Sequence, residues 1–127
     1  MTAQTPAALP IRTILKATIS QVDRAKQAVA RTPEEWQKLW LTHNFDAPPP
    51  AVDFSKEMVV AVFMGSRPTA GFAVEIAAVR EDGGALVVQY RETRPRPDMM
   101  QAQVITSPCH LAAIPKRDGP VRFEKIE

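Results

Sequence analysis

The chain has a single cysteine, Cys109, which excludes a disulfide within it. Its apolar runs stop well short of the ~20 residues needed to span a bilayer, so no membrane span is expected. The net charge is only +2, which gives no electrostatic reason to expect nucleic acid or a membrane surface as partner. There is no Gly-x-Ser-x-Gly, no Gly-x-x-x-x-Gly-Lys-Ser/Thr and no Gly-x-Gly-x-x-Gly. The nucleophile elbow, the phosphate loop and the dinucleotide turn are therefore all missing. Two histidines, His43 and His110, and one cysteine make no zinc-ligand spacing. Residues 1–10 lack a basic start and an apolar stretch, so they do not read as a signal peptide. The chain is then either cytoplasmic or begins after a removed leader. The expectation is a protein that is not an enzyme, with no catalytic residue, cofactor or metal.

Glycines are few, at five, whereas prolines number twelve. Proline is excluded from helix interiors and central sheet positions, so this ratio predicts short elements joined by rigid loops. At 127 residues with 45% apolar content, the chain fits one domain, residues 1–127, with 1–10 as a loose lead-in.

The best-defined stretch is Met58 to Ile76. Met58 to Met64 is an unbroken apolar run of strand length, which predicts a strand covered on both faces. Phe72, Val74 and Ile76 alternate with Glu75, as in a half-buried strand. Between them, Gly65 and Gly71 relax the backbone at the ends of a loop and Pro68 stiffens its middle. Upstream, Ile11 to Ser20 alternates, with Ile11, Thr13, Leu15, Ala17 and Ile19 on one face; Ile14 alone breaks the pattern. A short strand is predicted over Lys26 to Arg31. Thr32 is an N-cap, Pro33 suits the first helical position and Glu35 completes a capping box. Trp36, Leu39, Trp40 and His43 then recur at helical spacing, and Asn44 is a plausible stop. Pro48-Pro49-Pro50 makes a stiff extended loop.

After Ile76 the strand runs to about Arg80, turns at Glu81-Asp82-Gly83-Gly84 and returns with Leu86, Val88 and Tyr90 on one face. Met100 to Ser107, Cys109 to Ile114 and Val121 to Ile126 read as further strands. The fold class is mainly β: an antiparallel sandwich or open barrel, immunoglobulin-like among the options, of seven or eight short strands with one early helix.

Cys109 and His110 are adjacent, but neighbours on a strand face opposite ways, so they read as a structural cysteine beside a surface histidine. His43 reads as a packed histidine favoured by the helix dipole. Arg91, Arg94 and Arg96 surround a proline loop, and Arg67 lies in the Gly65–Gly71 loop. They are either an anion-binding group or solvated loop-edge charges. Tyr90, on an inward face, is the one aromatic near them, which counts against single-strand nucleic-acid binding.

Three stretches resemble one family. Thr32-Pro33-Glu34-Glu35-Trp36 with Leu39-Trp40, Val52-Asp53-Phe54-Ser55-Lys56 leading to Gly65-Ser66-Arg67-Pro68-Thr69-Ala70-Gly71-Phe72, and Thr106-Ser107-Pro108 with Ala113-Ile114-Pro115-Lys116 are similar to the PrcB C-terminal domain family over about residues 26–126. The resemblance implies an exported or lipid-anchored accessory protein without known catalysis, whose named member helps assemble and stabilise a protease complex. It places this chain outside the cytoplasm, in the periplasm or cell envelope, although the chain shows no leader or lipobox cysteine.

The Arg67-Pro68-Thr69-Ala70-Gly71-Phe72 loop is also similar to the inhibitory loop of chagasin-like protease inhibitors. Arg67 replaces their asparagine, and Arg94-Pro95-Arg96-Pro97 loosely matches a second inhibitor loop. The expected function is binding of a protein partner, a protease among them, to assemble, stabilise or regulate a protease complex. Arg67, Pro68, Thr69, Ala70, Gly71 and Phe72 form the expected contact loop, with Arg94, Pro95, Arg96 and Pro97 beside it. Alternatives are a chagasin-like inhibitor and a small-ligand or glycan-binding envelope domain with a groove between its sheets.

Overall fold

The structure, a computed structural model, describes residues 8–43, 48–98 and 100–126; residues 1–7 of the expected lead-in and the expected stop at Asn44 lie outside them. The elements are β1 (Arg12–Ala17), β2 (Lys26–Ala30), α1 (Pro33–His43), β3 (Glu57–Phe63), β4 (Ala73–Asp82), β5 (Ala85–Thr93), β6 (Cys109–Pro115) and β7 (Val121–Ile126). They form a four-stranded sheet in the order β1-β6-β3-β2 and a three-stranded sheet in the order β4-β5-β7. The result is mainly β and sandwich-like, with seven strands and one short helix among the described residues.

β3 shows why the apolar run needs no polar face. Met58, Val60, Val62 and Met64 pack between the two sheets, with Val74, Ile76, Val79, Leu86 and Val88. Val59, Ala61 and Phe63 pack on the opposite face, against Trp36, Leu39 and Trp40 of α1. The four-stranded sheet is thus the middle of three layers, and its central strand β3 is apolar on both faces.

Sequence chemistry sets the helix. The Thr32 hydroxyl accepts the Glu35 amide at 3.1 Å, and the Glu35 carboxylate reaches back to the Arg31 amide at 2.7 Å. This is a capping box shifted by one residue at its acidic end. Trp36 and Trp40 stack with ring centroids 5.6 Å apart, and the Trp36 indole donates to the Pro50 carbonyl at 2.9 Å. The proline loop thereby satisfies the one polar atom that the buried indole brings with it.

The structure corrects four expectations. β5 and β7 pair in parallel, so the second sheet is mixed. The strand expected over Met100 to Ser107 is irregular, with a single bridge from Thr106 to Arg67. The alternation through Ile11 to Ile19 does not keep one face. The β1–β6 register shifts between Thr13 and Leu15, so Ile14 is the extra residue of a bulge. Ile11 therefore packs between the sheets, whereas Leu15 and Ala17 pack toward the helix. Finally, His110 is not at the surface but 3% exposed.

Candidate functional site

Cys109 and His110 do face opposite ways. Cys109 joins the helix-side core, and its sulfur lies 4.0 Å from His43 Nδ1. His43 Nδ1 also lies 2.9 Å from the Ser20 hydroxyl. Ser20 in turn exchanges hydrogen bonds with Ser107: its amide donates to the Ser107 hydroxyl at 2.7 Å and its carbonyl accepts from that hydroxyl at 2.5 Å. Cys109, His43 and Ser107 are buried and Ser20 is half-buried. Burial pushes the Cys109 thiol up to about 11, so it stays protonated and is a poor nucleophile. Burial also lowers the proton affinity of His43, which is therefore neutral rather than an imidazolium favoured by the helix dipole. Among the described residues no hydrogen bond or ion pair joins a carboxylate to the cluster, and no group of three His, Cys, Asp or Glu could hold a metal ion.

His110 stands on the other face, between the sheets. Its Nδ1 accepts the Ile76 amide at 2.8 Å, and its Nε2 lies 2.9 Å from the Thr13 hydroxyl. A backbone amide can only donate, so Nδ1 is bare, and Nε2 carries the proton and donates to Thr13. Ile76 and Thr13 each border a register shift, on β4 and β1. His110 thus joins the Ile76 amide, beside the bulge of β4, to the Thr13 hydroxyl, beside the bulge of β1.

The contact loop expected from sequence leaves β3 through Gly65, whose φ is +82°. A Cβ there would lie 2.7 Å from the Ala25 amide nitrogen, so only glycine lets the loop pass the Asp23–Ala25 turn. Arg67 and Thr106 exchange two backbone hydrogen bonds, of 2.7 and 2.9 Å. The Thr106 hydroxyl donates to the Thr69 carbonyl at 2.9 Å, and the Ala70 amide donates to the Ala102 carbonyl at 3.1 Å. At Gly71, with φ +94°, a Cβ would come within 2.8 Å of Pro95 and 2.7 Å of the Gln101 side chain. The loop 67–72, the loop 94–97 and the segment 100–106 therefore meet.

Phe72 is half-buried against the core between the sheets, with the Arg67 guanidinium 5.6 Å from its ring centre. Arg67 also donates to the Met64 carbonyl at 3.3 Å. Pro68 is exposed, and Thr69 and Ala70 are half-buried. The other arginines have acidic neighbours. Arg94 pairs with Glu92 at 3.3 Å, Arg96 with Asp98 at 3.3 Å, and Arg91 approaches Glu75 at 4.0 Å. They are largely neutralised loop-edge charges, with Pro97 exposed beside them.

Sequence reasoning missed the surface beside this loop. Met100 is 98% exposed, Ile105 71%, Ile19 64% and Val104 47%, and of the large exposed apolar residues described, only Leu41 lies elsewhere. The segment carrying Met100, Val104 and Ile105 is fastened to the contact loop by the bonds at Ala102 and Thr106. Ser107 ties that segment to the one carrying Ile19, because its amide donates to Thr18 O at 2.8 Å. We refer to Ile19, Met100, Val104 and Ile105 as the apolar shelf. An open groove of about 560 Å³, lined by Lys16, Ala17, Thr18, Ile19, Ala73 and Val74, runs into the same end of the molecule. No sequence signal announced it, because Met100-Gln101-Ala102-Gln103-Val104 alternates as a half-buried strand does.

No curated protein and no solved structure gives a match to this chain. The family described as PrcB C-terminal matches residues 58–115, from the first fully buried residue of β3 to the end of β6. That stretch contains both loops and the part of the shelf from Met100 to Ile105; α1 and the Val52–Lys56 segment lie outside it. Over residues 58–115, a little under half of its length, the chain is similar to the PrcB C-terminal family.

Proposed function

We propose that the domain is a non-enzymatic protein-binding module that assembles, stabilises or regulates a protease complex. Its contact surface is the loop 67–72 together with the apolar shelf beside it. The observation that supports this most is the shelf. Four large apolar side chains stand in solvent on two segments hydrogen-bonded to each other and to a rigid Pro/Gly loop. Exposed apolar clusters on a stiff scaffold are the usual signature of a surface covered by another protein. Similarity of residues 58–115 to the PrcB C-terminal family supports a protease complex as the setting.

The geometry also shifts emphasis within the surface. Phe72 is partly packed, so Met100, Ile105 and Ile19 offer more area to a partner than the loop tip does. Affinity purification from the source cells tests the reading with three proteins: wild type, a Thr69→Asp, Phe72→Ala variant and an Ile105→Asp variant. Wild type retains a protease-complex subunit and both folded variants lose it. Equal retention by all three sinks the reading.

A further inference from the structure

We propose that His110 is a pH-operated latch that holds the two sheets together beneath the contact loop and releases the loop in acid. This rests on the loop 67–72 being the contact surface. β4 and the segment leading into β1 begin as neighbours: Ala8 bridges Arg80, and the Leu9 amide donates to Val79 O at 2.8 Å. The two chains then part. β1 turns to pair with β6, while β4 continues toward Ala73. His110 fills the parting, bonded to Thr13 on one side and Ile76 on the other. Beyond it the parting widens into the open groove at Ala17, Ile19, Ala73 and Val74, and Ala73 follows Phe72 directly. The latch's partner Ile76 is therefore four residues from Phe72, on the strand that the loop leads into.

The chemistry is a single proton transfer from solvent to Nδ1. Once protonated, Nδ1 becomes a donor facing another donor, the Ile76 N–H, and the hydrogen bond joining β6 to β4 is lost. The charged groups facing His110 are few. From β1 there is Lys16, its register partner, and from β4 there is Glu75. Arg91 of β5 reaches the site only through Glu75. β3 presents Val62. Lys16 and Glu75 are joined at 2.9 Å across the parting. The imidazolium is repelled by Lys16 and attracted to Glu75, so the new charge competes for the ion pair that these two form across the groove. These two polar ties between β4 and the other sheet weaken together.

Amide-resolved NMR and hydrogen exchange on the free protein, from about pH 7.5 to about pH 4.5, test this without any partner. The amides of Ile76, Gly71 and Phe72 and the imidazole of His110 shift with one midpoint below about pH 6.5. Exchange at those amides, corrected for its intrinsic pH dependence, quickens about tenfold. In His110→Gln, whose amide can still accept from Ile76 and donate to Thr13, the transition disappears. Should that variant not fold, the coincidence of the imidazole and loop midpoints in wild type decides. Loop amides that stay still while His110 titrates overturn the latch, and so does an unchanged transition in His110→Gln. Either result leaves the contact reading intact, since that fails only if the surface variants retain the partner.

Discussion

The sulfur of Cys109 lies 4.0 Å from Nδ1 of His43, 66 positions away, while its chain neighbour His110 faces the opposite core. The thiol is fully buried and its proton is held up to about 11. Iodoacetamide at about pH 8 therefore leaves the native protein unlabelled and modifies Cys109 readily once guanidinium unfolds it. Fast labelling of the native protein, read by mass spectrometry, contradicts this burial.

Removing the His110 side chain leaves the Ile76 amide without a partner between the sheets. His110→Ala is expected to lower stability by about 2–4 kcal/mol, combining an unsatisfied donor with a cavity. Urea unfolding measures it, and a loss under about 1 kcal/mol means that the bond is replaced or idle.

Acid should weaken the fold before the carboxylates titrate. Burial lowers the proton affinity of both His43 and His110, with Lys16 adding to the effect at His110 and Glu75 opposing it. The unfolded chain then binds more protons than the folded one once pH falls below about 6.5. The stability that the neutral histidines contribute is present above that pH and declines as pH falls toward their folded values, by at most about 1.4 kcal/mol per pH unit for each. A second loss comes at lower pH. Glu75 is held below its ordinary value by its hydrogen bond from Lys16, and Asp53 by its hydrogen bonds from Ser55. Unfolding free energy that stays flat between about pH 7 and about pH 5 rules out the histidine part.

Glycine position matters more than glycine count. Gly65→Ala puts a Cβ against backbone at Ala25 as well as forcing a left-handed φ, whereas Gly83, with φ +59°, has open space around it. Gly83→Ala should cost about 1 kcal/mol and Gly65→Ala more than about 3 kcal/mol. Thermal midpoints for the pair check the order, and equal shifts refute it.

The shelf should be dispensable for folding. Ile105→Ser and Leu41→Ser both change exposed apolar residues, so each should alter stability by less than about 0.5 kcal/mol. Only Ile105→Ser should weaken partner binding, by about tenfold or more, while Leu41→Ser on the helix should not. Calorimetry with the captured subunit distinguishes them.

What was readable in the sequence was periodicity. The apolar run of β3, the capped helix, the Gly83–Gly84 hairpin and the alternation of Phe72, Val74 and Ile76 all appear where expected, because burial imposes a period on the residues that make it. Ile14 was even visible as the one break in its strand, although a break does not say which side the following residues take. Pairing direction was not readable: β7 alternates in the same way whether it runs with or against β5. Exposure was not readable either, since Val104 and Ile105 are as apolar as any core strand residue. Nor was the burial of His110, because no local pattern announces an imidazole that serves two bulges from distant strands.

The strand order carries a consequence for how the chain acquires its shape. β6 lies between β1 and β3, and β7 closes the other sheet from the far end of the chain. During synthesis β1 emerges first and has no strand of its sheet to pair with until residues 109–115 are out. β2–β3 and β4–β5 can pair as they are made, but β1 waits for β6 and β5 for β7, so completing both sheets depends on distant loop closures and is expected to be slow for a domain of this size. Until the C-terminal third is made, the apolar edge of β3 that β6 will cover stays open, a window in which the nascent chain can be captured by whatever binds unpaired strands.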